Sequence, residues 1–226
     1  MAAMRVEGRA PGAAPWYLRP FFRNQRRKYG RVLDAALVWA RSPRLFLSVA
    51  ALYGAIDRRS SPVPPALRSL ITVRVSAINH CRFCVDLNSA TLLRRGVAED
   101  KVLALDTWRT SPLFDARERT ALDYAEAMTF SDQQVEEAQI DALRAFFDDD
   151  GIVELTALIA FQNMSSKFNA ALAVPPQGFC RLPVEAGYPE TPLERPESEG
   201  KENHAARTGW PSGCDGCGRG TAGRGG

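Results

Sequence analysis

Between Leu67 and Gly96 the apolar residues keep a helical period, and one pair of cysteines falls at its break. Leu67, Leu70, Ile71, Val75 and Ile78 recur at three- and four-residue spacings, the stripe of a buried helix rather than the alternation of a strand. That helix is predicted to stop near Asn79. Leu87, Ala90 and Leu93 mark a second helix, with Gly96 as its terminating glycine. Cys81 and Cys84 then sit on its first turn. Unsatisfied N–H groups and the positive end of the helix dipole favour thiolate over thiol there. Two sulfurs three residues apart also face the same side, so they can close a disulfide with little backbone movement. The alternative is structural: two small buried apolar residues opening a core helix.

The rest of the chain keeps the helical period. Apolar positions repeat from Val32 to Ala40 and from Pro43 to Ile56, the latter opened by Ser42 and Pro43 as N-cap and first-turn proline. Leu45 to Ile56 is too short to cross a bilayer and reads as a core helix. Asp100 to Trp108 extends the pattern weakly. Ser111 and Pro112 are expected to open a helix carrying Leu122, Ala125 and Met128, and Ser131 with Gln134 to cap another that reaches Phe147. Ile152 to Leu172 is apolar nearly all round and is expected to be the most buried element. Asp148, Asp149 and Asp150 stand just ahead of it, where acids complement a helix dipole; a metal site is the weaker reading.

At 226 residues and 45% apolar content the chain supports one sizeable core. The predicted organisation is an all-α domain over residues 16–181, a disordered arm over 1–15 and a disordered tail over 182–226. The arm lacks the apolar run of a secretory signal. The tail is rich in Pro, Gly, Glu and Arg, and carries His204 and a second C-x-x-C at Cys214 and Cys217 with no scaffold for zinc. Five cysteines without a secreted-type lattice suit a reducing compartment, so a cytoplasmic location is expected. A net charge of +3 makes no case for nucleic acid. The basic run Arg19, Arg23, Arg26, Arg27, Lys28 and Arg31, interleaved with Phe21, Phe22 and Tyr29, reads as a solvated helix with aromatics packed inward, phosphate or membrane binding being the lesser alternative.

The run from Val73 to Asn88, with Asn79-His80-Cys81-Arg82-Phe83-Cys84, resembles the active-site helix pair of the carboxymuconolactone decarboxylase and AhpD-like alkylhydroperoxidase superfamily. Ile152 to Leu155, Ile159 to Met164 and Asn169 to Leu172 resemble its C-terminal core helix. The similarity spans about residues 30 to 180. It implies an AhpD-like helical bundle, assembly into trimers or hexamers, and no cofactor or metal. It also implies that Cys84 attacks a peroxide, that Cys81 condenses with the sulfenic acid to a disulfide, and that an external dithiol reduces it. No membrane or nucleic-acid partner is implied.

The resemblance fails at the proton relay. Peroxidase members of that superfamily place a glutamate twelve residues before the first cysteine and a histidine four after the second; here these are Ser69 and Asn88. An amide donates a hydrogen bond to a thiolate but takes no proton from a thiol, and a serine offers no base. Ser69, Thr72 and Ser76 form a hydroxyl stripe that a water chain could follow. His80 is a candidate substitute base, or an exposed loop histidine with no role. The leading expectation is a thiol-dependent peroxidase or disulfide reductase, weakened by the missing relay. The alternatives are a decarboxylase-type lyase, which needs no C-x-x-C, and a helical scaffold that has lost efficient chemistry.

Overall fold

The helical period is realised along the whole domain. The computed structural model describes residues 4–182, and no β-strand forms among them. In chain order the helices are α1 (Arg19–Tyr29), α2 (Asp34–Trp39), α3 (Pro43–Ile56), α4 (Pro65–Ile78), α5 (Arg82–Arg94), α6 (Glu99–Leu103), α7 (Ala116–Ala127), α8 (Glu137–Arg144) and α9 (Asp149–Ala171). None is long and apolar enough to cross a membrane. The expectations for the tail, with His204, Cys214 and Cys217, fall outside the described residues.

The bundle is organised around α4, which packs on α5, α7 and α9. Nine of its 14 residues are buried, against eight of the 23 in α9. This corrects the expectation that Ile152 to Leu172 is the most buried element. Val153 and Met164 of α9 are 66% and 42% exposed, because one stripe of α9 faces solvent although the helix packs on α3, α4, α5, α7 and α8. Leu70, Ile71 and Val75 are fully buried, and removing water from such side chains stabilises the fold by roughly 1.5–3 kcal/mol each. A polar hub fastens α4 to α7: Arg74 Nε, Trp108 Nε1 and Arg109 Nη2 each donate to the buried Glu126 carboxylate at 2.7 Å.

Two helix starts and one burial pattern differ from the expectations. Asp115 and Glu118 form the capping box that starts α7, so that helix begins five residues after Ser111. Glu136 and Gln139 form the box that starts α8, displacing Ser131 and Gln134. The third change concerns α3, expected in the core: only Phe46 and Ile56 are buried, while Leu45, Leu52 and Tyr53 are 54%, 45% and 46% exposed. Asp148 does cap α9, accepting from the Gly151 N–H at 2.8 Å. No group of His, Cys, Asp or Glu able to hold a metal occurs among the described residues.

The arm also departs from its composition. From Arg5 to Ala14 it is docked rather than disordered: Arg5 N–H donates to Leu172 O at 3.0 Å, Arg9 N–H donates to Leu37 O at 2.8 Å, and Ala14 is buried. Arg5 Nη1 also donates to Ala171 O at 2.9 Å, a cation placed on the carbonyl end of α9 where the dipole favours it. At Gly8 an added Cβ would lie 2.5 Å from Leu37 Cβ. Backbone partners and one glycine therefore dock a segment whose side chains bury little.

Candidate active site

The turn between α4 and α5 presents the cysteines. Asn79 closes α4, His80 takes a left-handed backbone at φ 53°, and Cys81 N–H returns to Ser76 O at 3.0 Å. Asn79 Nδ2 donates to Asn163 Oδ1 and to Ser166 Oγ, both at 2.9 Å, which fixes the turn against α9. Cys81 is the N-cap of α5, its Sγ accepting the Cys84 N–H at 3.2 Å. The two sulfurs are joined in a disulfide across a Cα–Cα distance of 5.2 Å, as the spacing predicts. Both residues are buried, Cys81 1% and Cys84 4% exposed.

Among the described residues Cys84 has one side-chain hydrogen-bond donor outside the turn. Asn169 Nδ2 of α9 donates to its Sγ at 3.3 Å, and Asn169 Oδ1 is buried with no hydrogen-bond partner among the described residues. A disulfide or thiolate sulfur only accepts, so the amide N–H faces it. In the reduced state that bond favours thiolate over thiol, adding to the dipole at the start of α5.

Beside Cys84 opens a cavity of about 340 Å³, within the range of roughly 300–1,000 Å³ typical of small-molecule sites. A third of its lining is aromatic, including Phe21, Tyr29, Trp39, Phe46, Phe83 and Phe161. Trp39 is held flat against Phe168 at 3.6 Å between ring centres. Tyr53 also lines the cavity and donates its hydroxyl to Asp57 Oδ2 at 3.3 Å. Although the residue is 46% exposed overall, loss of water around the hydroxyl and the Asp57 carboxylate raise its pKa well above the usual phenol range. It remains protonated at neutral pH and cannot serve as a base there.

The structure brings together some of the sequence-predicted residues and separates others. Asn88, one turn after Cys84, lines the cavity and donates Nδ2 to Ser76 Oγ at 3.2 Å. Gln162 Nε2 donates to the same hydroxyl at 2.8 Å. Ser69 lies elsewhere. Its hydroxyl accepts from Arg95 Nη1 at 2.9 Å, and Arg95 pairs with Asp57 at 2.7 and 3.0 Å. Ser69 is not among the residues that line the cavity. The hydroxyl stripe does not continue as a chain either, since Thr72 donates to Ser69 O at 3.0 Å and Ser76 donates to Thr72 O. His80 is exposed and does not line the cavity. Cys180 lies near the base of α5, its N–H bonded to Asp86 Oδ1 at 2.7 Å. Burial, with Asp86 adding to it, pushes its thiol pKa up.

Gln162 and Asn169 carry no role in the sequence reading, yet a signal for them exists. Gln162, Ser166 and Asn169 repeat at four and three residues along the buried, otherwise apolar face of α9. Such a polar stripe needs partners, and here they are the cysteine turn and Ser76.

An AhpD-like helical bundle with a cysteine pair at the start of one core helix is the class this fold defines. The chain belongs to the carboxymuconolactone decarboxylase family, whose model matches residues 43–127. It is 43% identical over 169 residues to the uncharacterized protein YnjA of Escherichia coli K12, a match covering 75% of this chain and 93% of that one. Among solved structures, the debrominase Bmp8 superposes with a TM-score of 0.70 at 25% identity, covering 80% of this chain and 96% of Bmp8. A peroxidase-related protein from Ralstonia eutropha JMP134, described as an alkylhydroperoxidase AhpD core, gives 0.72 at 23% identity and covers 78% and 94%, a likeness of fold alone.

Proposed function

We propose that the chain is a thiol-dependent oxidoreductase that reduces a hydroperoxide through Cys84 and Cys81. The observation that carries this reading is the bonded pair at the start of α5 with Cys84 on the cavity wall. The Cys84 thiolate attacks one peroxide oxygen: an S–O bond forms, the O–O bond breaks, and the alkoxide leaves with a proton as the alcohol. Cys81 Sγ then attacks the sulfenic sulfur, expelling water and forming the disulfide. An external dithiol returns both thiols by exchange, itself leaving as a disulfide. Leu45, Leu47 and Leu52, exposed on α3 beside Arg44, support association of copies, as in the trimer or hexamer the family resemblance implies.

Activation rests on the α5 dipole and the Asn169 N–H rather than on a base, because Ser69 and His80 are off the cavity and Asn88 is an amide. The resulting activity is slow at neutral pH and climbs as Cys84 ionises. A second reading is favoured by the aromatic wall and the likeness to Bmp8. In thiol-driven dehalogenation an aryl halide and the two thiols give the arene, hydrogen halide and the same disulfide. A decarboxylase reading leaves the cysteine pair unused, and a scaffold reading leaves the cavity unused.

The test is steady-state consumption of cumene hydroperoxide with dihydrolipoate as reductant. Wild type is expected to turn over, with Cys84→Ser inactive and Cys81→Ser unable to form the internal bridge. Turnover of Cys84→Ser equal to wild type would reject the assignment.

A further inference from the structure

The basic, aromatic-rich segment noted in the sequence is a wall of the cavity. Phe21, Asn24, Gln25, Lys28 and Tyr29 all line it, a set spaced three, one, three and one along α1 that defines one helix face. Arg19, Arg23, Arg26 and Arg27 are exposed and do not line it. From Arg19 to Tyr29 the helix holds five cations and no acid. Among the described residues Lys28 is the only charged one on the cavity wall, and no carboxylate lines it. Among the described residues Lys28 makes no ion pair; its Nζ lies 5.0 Å from the centre of the Tyr29 ring.

Size and chemistry narrow what fits. Hydrogen peroxide would leave most of a 340 Å³ cavity unfilled and the aromatic wall unused. An aromatic ring gains from edge or stacked contacts with the wall. A carboxylate on that ring gains from Lys28 and from the positive potential of α1, with no wall acid to repel it. We propose that the cavity beside Cys84 takes an aromatic substrate bearing a carboxylate, with Lys28 reading the carboxylate while the ring lies among Trp39, Phe46 and Phe161. Lys28 is thus a specificity residue. This deepens the function proposed above, since the reacting group would be a hydroperoxide or halide on that ring.

Binding tests the inference without turnover. Titration calorimetry on the oxidised, disulfide-bonded protein compares 4-isopropylbenzoate with its uncharged counterpart 4-isopropylbenzamide. Benzoate is expected to bind more tightly to wild type. In Lys28→Gln its advantage falls by roughly three- to fivefold, the scale of one exposed charge pair, while benzamide is unaffected. Added salt is expected to shrink the same advantage in wild type. Arg23→Gln, on the outer face of α1, keeps the preference. Equal affinities in wild type, no binding of either probe, or a preference that survives Lys28→Gln would each overturn the proposal. Loss of the preference to the same extent in Arg23→Gln would overturn it too, pointing to α1 as a docking face for an acidic protein. Benzoate binding by a protein that consumes no hydroperoxide would reject the proposed activity and leave the ligand class standing.

Discussion

Asn169→Leu removes the only side-chain donor to Cys84 Sγ seen among the described residues while keeping nearly the same volume. A hydrogen bond to a charged group contributes about 1.5–3 kcal/mol; sulfur is a diffuse acceptor and 3.3 Å is long, so the lower end applies. At 1.36 kcal/mol per pKa unit, that raises the Cys84 thiol by about one unit. The helix dipole, worth roughly 0.3–1 kcal/mol when exposed and up to about 2 when partly buried, remains. Iodoacetamide alkylation of Cys84 across pH, in a Cys81→Ser background, reads the shift. Below both midpoints the variant holds about tenfold less thiolate. A thiolate one unit more basic is intrinsically about threefold more nucleophilic, given a Brønsted slope of about 0.4–0.5. The variant is therefore expected to react about three- to fourfold more slowly at low pH and about threefold faster at high pH, so the profiles cross. Parallel profiles with one midpoint would refute the hydrogen-bond argument and leave Asn169 as packing.

Asn88→His places an imidazole on the cavity wall one turn from Cys84 and is expected to raise the neutral-pH oxidation rate by up to about 10²-fold. Adding Ser69→Glu is expected to give little more, because that position faces Arg95; stopped-flow rates for the single and double variants check both. Glu126→Ala leaves the buried Trp108 N–H without its acceptor while Arg74 and Arg109 keep Asp106 and Asp123, and urea unfolding should show a loss of about 1–3 kcal/mol. Cys180, its pKa raised by burial and Asp86, is expected to alkylate more slowly at neutral pH than an unstructured thiol, its rate rising through a midpoint above the usual thiol range. Gly8→Val should release the arm, since its Cβ would collide with Leu37, giving faster amide exchange at Arg9 with little change in the rest of the domain.

The parts of the fold visible in sequence are those set by local rules. The α4–α5 pair was legible because its apolar stripe, the break at Asn79 and the cysteine spacing act within a few residues. Helix starts were legible only where one capping set stood alone; Ser111 and Ser131 competed with Asp115 and Glu136, whose boxes are completed by Glu118 and Gln139. Burial was legible poorly. An apolar helix such as α3 looks the same whether its face meets the core or solvent, and only tertiary packing separates them. The arm misled for the opposite reason: backbone hydrogen bonds to Leu37 and Leu172 leave no mark on composition. At the site, the Cys81–Cys84 bridge followed from spacing along one helix start, whereas Asn88 was singled out only through the family resemblance. The diversion of Ser69 to Arg95 depends on residues 26 apart in sequence, and the aromatic wall is assembled from α1, α2, α3, α5 and α9.

The central claim is that Cys81 and Cys84 cycle together between dithiol and disulfide. The most direct measurement is peptide mapping of fully reduced protein after one equivalent of hydroperoxide, with free thiols alkylated at the end point. Trypsin cuts at Arg82, so the bridge would join two peptides. The account predicts a Cys81–Cys84 linkage, with Cys180, Cys214 and Cys217 alkylated. A bridge from Cys84 to Cys180 or to either tail cysteine, or alkylation of both Cys81 and Cys84, would contradict it.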